Sequence, residues 1–202
     1  MATAKIKNNL FIVLIIKLGV NLTTNIQIFN TFVQQKSKII AYEQEITACF
    51  TGHRTYDGSR NTELECAIRE LYARGYRTFL CGMAMGFDLA AAECALSLCN
   101  ELRGLRVVAV VPFDGMQRKF PPAEQSIFNR VIAEADEIIT LAEHYSPRVY
   151  ALRNNYLVDN SSAVIAYFTG EKGGTAYTVR RAVKSLSLIV NIYNNPQQRL
   201  FK

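Results

Sequence analysis

The chain has 202 residues, half of them hydrophobic, which suits one well-buried domain with an appendage. Its formal net charge is +6, yet residues 1–40 hold five lysines and no acid, which leaves 18 Lys and Arg against 17 Asp and Glu over the rest. That near-neutral remainder disfavours nucleic acid as a partner, and two histidines without a C-x-x-C pair leave zinc without ligands, so no metal is expected.

Residues 1–43 read as an N-terminal extension that is not part of the core. The run NLFIVLIIKLGV follows Lys5 and Lys7 like the apolar stretch of a signal peptide, but Lys17 interrupts it and no A-x-A pattern follows. It is shorter than the roughly 18 apolar residues of a membrane span, so contact with a membrane is expected only through residues 1–40. The domain is assigned to residues 44–195, and residues 196–202 form a C-terminal tail. The five cysteines, Cys49, Cys66, Cys81, Cys94 and Cys99, are odd in number and sit mostly among apolar neighbours. They predict free thiols in a reducing, cytoplasmic setting.

From residue 44 onward, short apolar runs alternate with helical patterns. The runs are ITACF (46–50), TFLC (78–81), VVAVV (107–111), IITL (138–141), AVIAYF (163–168) and LIVNIY (188–193). Their near-continuous apolarity fits parallel strands covered on both faces. Between the first two, residues 62–74 place Leu64, Ala67, Ile68, Leu71 and Tyr72 on one stripe, with Thr62 and Glu65 as a capping box and Gly75 at the end. Residues 88–102 follow with Asp88 as a candidate N-cap, then 122–135 behind Pro121 and Pro122, then 149–159 and 176–187. Repeated strand–helix units predict a Rossmann-like, doubly wound α/β fold, a mainly parallel sheet of about six strands with helices on both faces.

In such sheets ligands bind beyond the carboxyl ends of the strands. The unusual residues gather there: TGHR after the first strand, GMAMGFD after the second, and TGEKGGT after the fifth. Gly82, Gly86, Gly173 and Gly174 at helix starts are candidates to let backbone N–H groups approach an anion, or to permit tight turns. Gly52 and Thr175 lie on the same loops. Arg54 is a candidate phosphate partner or a surface ion pair, and His53 a structural histidine. Asp88 suits a ribose hydroxyl or a helix cap, and Glu93 lies five residues on. Arg153, flanked by Leu152 and by Tyr156 and Leu157, is expected to be half buried and to need an anion, either Asp159 or a ligand. Neither glycine loop matches G-x-G-x-x-G or G-x-x-x-x-G-K-[ST], so a standard dinucleotide fold and a P-loop are disfavoured.

The motifs CFTGHR, GMAMGFDLAAAE and LRNNYLVDNSSAVIAYFTGEKGGTAYTVRRA, in that order over residues 44–195, resemble the YpsA-like family of the SLOG superfamily. The resemblance implies a Rossmann-like fold, kinship with the LOG phosphoribohydrolases and the DNA-processing protein DprA, and binding of a nucleotide or nucleotide-derived ligand, with no cofactor required. LOG enzymes carry R-K and, downstream, P-G-G-x-G-T-x-x-E. Arg153 matches their Arg, Asn154 stands at the Lys, and Gly174 with Thr175 match G-T, but Thr178 occupies the position of the Glu. A hydroxyl supplies neither a carboxylate base nor charge for an oxocarbenium ion. The resemblance therefore points to ligand sensing through Gly52, Arg54, Gly82, Gly86, Asp88, Arg153, Gly173, Gly174 and Thr175. A nucleotide N-glycosidase using Arg153, Asp88 or Glu93 is the alternative, and a partner- or single-stranded-DNA-binding module the second. Superfamily relatives often dimerise, which leaves a homodimer through the helix at 122–135 open.

Overall fold

The computed structural model describes residues 43–185, 187–193 and 199–200. The expected extension lies outside them, apart from Glu43. The domain alternates strands and helices in the order β1 (Thr47–Gly52), α1 (Asn61–Ala73), β2 (Thr78–Cys81), α2 (Phe87–Leu98), β3 (Arg106–Val111), a 3-10 turn (Met116–Lys119), α3 (Pro122–Glu134), β4 (Glu137–Thr140), α4 (Val149–Asp159), β5 (Ala163–Tyr167), α5 (Gly174–Lys184), β6 (Leu188–Asn191) and β7 (Arg199–Leu200). The strands form one sheet in the order β4-β3-β2-β1-β5-β6-β7. The first six are parallel, and β7 pairs antiparallel with β6, Ile189 opposite Leu200. This last strand falls in the stretch read from sequence as a tail.

The sheet grows outward from β1 in both directions, to β2, β3 and β4 on one side and to β5 and β6 on the other. Because crossover connections keep one hand, reversing direction sends the helices to the opposite face. Alternate residues of β1 show the result. Ala48 and Phe50 pack with α1, α2 and α3 through Leu64, Ile68, Leu71, Leu89 and Phe128. Cys49 faces the other way, onto α4 and α5 through Leu157, Val158, Val179 and Ala182. Each fully buried Leu, Ile or Phe in these layers contributes about 1.5–3 kcal/mol. The outer strand β4 is largely exposed, with Ile138 48% accessible, and its Glu137 forms an ion pair with Arg106 at 3.7 Å, charges that blunt an edge.

Two capping expectations are corrected. Helix α1 begins one residue early, after Arg60, which has no side-chain cap bond, so Thr62 lies inside the helix and Glu65 accepts from Arg69 Nε at 2.8 Å instead. Helix α2 is capped by Gly86 at φ +73°, and Asp88 lies within its first turn as a buried residue. The backbone there turns sharply, and only glycine reaches that conformation cheaply.

Candidate functional site

Strands β1 and β5 are neighbours in the sheet, but their connections depart in opposite directions. This is the switch point at which a parallel sheet opens a crevice beyond its carboxyl edge. A cleft of about 340 Å³ lies there. Thr51, Gly52, His53 and Arg54 line it from the end of β1, Ala84 and Asp88 from the start of α2, Tyr150, Arg153, Asn154 and Leu157 from α4, and Gly174 and Thr175 from the start of α5.

Its floor is an ion pair. Arg153 is 7% exposed and Asp88 4%. Arg153 Nη1 donates to Asp88 Oδ2 at 2.9 Å and also to the carbonyl of Gly82. The same carboxylate oxygen accepts from the Ala84 N–H at 3.3 Å. Burial pushes the Asp88 carboxyl above its ordinary range, and the Arg153 charge opposes that rise. Arg153 Nε–H is buried and has no hydrogen-bond partner among the described residues. Arg153 is thus more buried than the sequence suggests, and its anion is Asp88. Asp159, the partner considered from sequence, binds Arg181 on the surface at 2.5 Å.

The opposite wall is the amino end of α5. Its cap, Gly173, offers no side chain, and the first intrahelical bond runs from Tyr177 N–H to Gly173 C=O at 3.0 Å. The N–H groups of Gly174, Thr175 and Ala176 therefore have no acceptor within the helix, at the end where the helix dipole is positive. Thr175 Oγ1 donates to the Gly52 carbonyl at 2.8 Å and pins this helix end to β1. Thr178, at the position of the LOG glutamate, is fully buried and donates to the Gly174 carbonyl at 3.0 Å.

The second glycine loop is occupied from within. Gly86 N–H points at both oxygens of Glu124, each at 3.4 Å, and Phe87 N–H donates to the His53 carbonyl at 3.2 Å. A Cβ on Gly82 would overlap the Arg153 guanidinium and sit 2.7 Å from Asp88 Oδ2, so this glycine makes room for the ion pair. Between them Met83, fully buried, takes φ +59°, a conformation that costs a non-glycine residue about 1–3 kcal/mol. Backbone N–H groups of this loop thus face the protein's own carboxylates, Ala84 toward Asp88 and Gly86 toward Glu124.

His53 Nε2 accepts from the Thr169 N–H at 3.1 Å, and the ring stacks on Phe168. The same residue lines the cleft. Arg54 is exposed and lies with its guanidinium carbon 5.7 Å from the centre of the Tyr150 ring. Glu93 is not brought to the cleft. It pairs with Arg130 in a separate groove between α1, α2 and α3, which also holds Glu65, Cys94 and Glu134. Five helical residues turn the chain through about 140°, so Asp88 and Glu93 cannot share a face. Sequence reasoning missed Tyr150 as a cleft residue and placed Asn154 only at the LOG Lys position. The dense aromatic and amide content of YALRNNY was the signal available.

A doubly wound α/β domain with a polar, arginine-floored cleft at its switch point is a Rossmann-like architecture. The YpsA family model, described as the YspA SLOG family, matches residues 61–191, and the chain belongs to that family. It is 27% identical over 124 residues to a UPF0398 protein of Bacillus velezensis, covering 60% of this chain and 68% of that one. It is 28% identical over 137 residues to the uncharacterized SPbeta prophage-derived protein YoqJ of Bacillus subtilis, covering 61% and 80%. Among solved structures it is similar to DNA processing protein A from Helicobacter pylori, with a TM-score of 0.55 at 18% identity over 75% of this chain and 66% of that chain. The match to DNA processing protein A from Streptococcus pneumoniae has a TM-score of 0.53 at 18% identity over 72% and 49%. The chain spans less than two thirds of either DNA-processing protein, and these likenesses establish a shared fold. No described helix is long and apolar enough to cross a membrane.

Proposed function

We propose that the cleft binds a nucleotide or nucleotide-derived ligand and that the domain acts as a sensor of it. The phosphate is placed against the uncapped N–H groups of Gly174 and Thr175, with Arg153 behind it. The observation that carries this is the buried, unpartnered Nε–H of Arg153 in a cleft that also receives the open end of α5. The cleft volume lies within the roughly 300–1,000 Å³ range of small-molecule sites.

Binding is favoured over N-glycosidic hydrolysis because, among the described residues, the cleft is lined by one carboxylate, Asp88, whose Oδ2 is taken up by Arg153 and Ala84. Thr178 also stands where the LOG pattern carries its Glu, and a hydroxyl supplies no carboxylate charge. The Helicobacter relative binds single-stranded DNA. Here the near-neutral balance beyond residue 40 supports a small ligand over a polyanion. A thermal-shift panel of nucleoside monophosphates, dinucleotides, ADP-ribose and a single-stranded oligonucleotide tests the assignment, run on the wild type and on Gly174→Val. A nucleotide shift that disappears in Gly174→Val is expected. Salt-sensitive stabilisation by the oligonucleotide alone would overturn the small-ligand assignment in favour of DNA.

A further inference from the structure

Three rings from three separate segments meet beside the cleft. Phe113 follows β3, Tyr145 follows β4 and Tyr150 lies in the first turn of α4. Phe113 lies 5.5 Å from Tyr145 and 6.0 Å from Tyr150, both near perpendicular, and the two tyrosines lie 6.2 Å apart. Tyr150 lines the cleft itself, where the Arg54 guanidinium approaches its ring. A cluster serving only the core would be covered, yet Tyr145 is 60% exposed and Arg54 is exposed as well.

We infer that this aromatic shelf is the receiving surface for the nucleobase of the ligand. Planar heterocycles stack on tyrosine rings and on guanidinium planes regardless of base identity, because every base presents a π-face. Anion-binding groups on the α5 wall and flat surfaces beside Tyr150 together select a ligand with a charged group and an aromatic ring, and discriminate against a bare sugar phosphate. The inference rests on the cleft taking a phosphate, as proposed above.

The test compares AMP with ribose 5-phosphate, which shares its sugar and phosphate but lacks the base, by calorimetric titration of the full chain. The wild type is expected to prefer AMP by about tenfold, within the roughly five- to 150-fold that one stacked base supplies. In Tyr150→Leu that ratio is expected to fall to within about twofold, and in the exposed-site variant Tyr145→Ser to fall by a smaller factor. A wild-type ratio near one, or a ratio unchanged in Tyr150→Leu, overturns the shelf while leaving the phosphate assignment standing. Failure of the wild type to bind either compound overturns both. If Tyr150→Leu does not fold, Tyr145→Ser decides, and an unchanged ratio there overturns the shelf.

Discussion

Arg153→Met removes the cation from the floor of the cleft and keeps most of its apolar stem. The two side chains of the pair are only 8% and 5% exposed, so the Asp88 carboxylate is left in a low-dielectric site with no countercharge. Breaking a buried pair in this way costs about 3–5 kcal/mol. At about 2–4 °C per kcal/mol for a domain of this size, the melting temperature is expected to fall by roughly 6–20 °C. The loss depends on pH. Burial already raises the Asp88 carboxyl from its ordinary 3.8, and removing Arg153 takes away the charge that opposes the rise. A carboxyl raised in the folded state stabilises most fully below its unfolded value, and that contribution is lost as pH climbs through the folded value. The cost of Arg153→Met is therefore smallest near pH 4 and grows toward neutrality. Adding Asp88→Asn removes the stranded charge and is expected to recover most of the stability at neutral pH. Urea unfolding of the four proteins at both ends of that range is the assay. A neutral-pH loss below about 1 kcal/mol, a loss independent of pH, or additive single and double variants would refute the reasoning.

Gly174→Val is expected to fold within about 1 kcal/mol of wild type, since the nearest atom to an added Cβ is Asn154 Nδ2 at 3.6 Å, while nucleotide-induced thermal stabilisation disappears. Gly82→Ala is expected to cost about 1–3 kcal/mol in urea unfolding, and less when combined with Arg153→Met and Asp88→Asn, which take away the overlapping guanidinium and the facing carboxylate charge. Under native conditions a maleimide is expected to label exposed Cys66 and to reach buried Cys49 and Cys81 only on unfolding, as peptide mapping would show. Burial pushes the Cys49 thiol from 9.0 up to about 12, so stability is expected to decline as pH rises through that window, with a shallower decline in Cys49→Ala.

The strands and helices were readable because each carries its own periodicity. Leu64, Ile68 and Leu71 mark the inner face of α1, and the apolar run 163–168 marks a strand covered on both sides, within a residue of its observed end. What depended on through-space neighbours was not readable. Nothing in GMAMGFD says that Glu124, far along the chain, supplies a carboxylate to Gly86, or that the guanidinium of Arg153 needs the empty space of Gly82. Capping roles failed for a related reason. Thr62 and Asp88 are good cap residues by type, but a shift of one or two positions at a helix start puts such a side chain inside the first turn, where Asp88 meets a buried arginine instead. The start of α5 was read two residues late, at 176 instead of Gly174, because Gly174 and Thr175 look like turn residues by type and yet already belong to the helix.

The central seam of the sheet joins β1, near the start of the domain, to β5, with Ala48 opposite Ala163 and Gly52 opposite Tyr167. During synthesis β1 through β4 emerge first, and the strand destined for the middle of the sheet waits as an open edge until β5 arrives. That closure brings together residues most distant along the chain, the slowest kind of pairing to form. The same step lays Arg153 across Asp88 and seats α5 on Gly52. Assembly of the fold and creation of its cleft go together, so a chain halted before Ala163 has an unprotected apolar edge and an incomplete cleft.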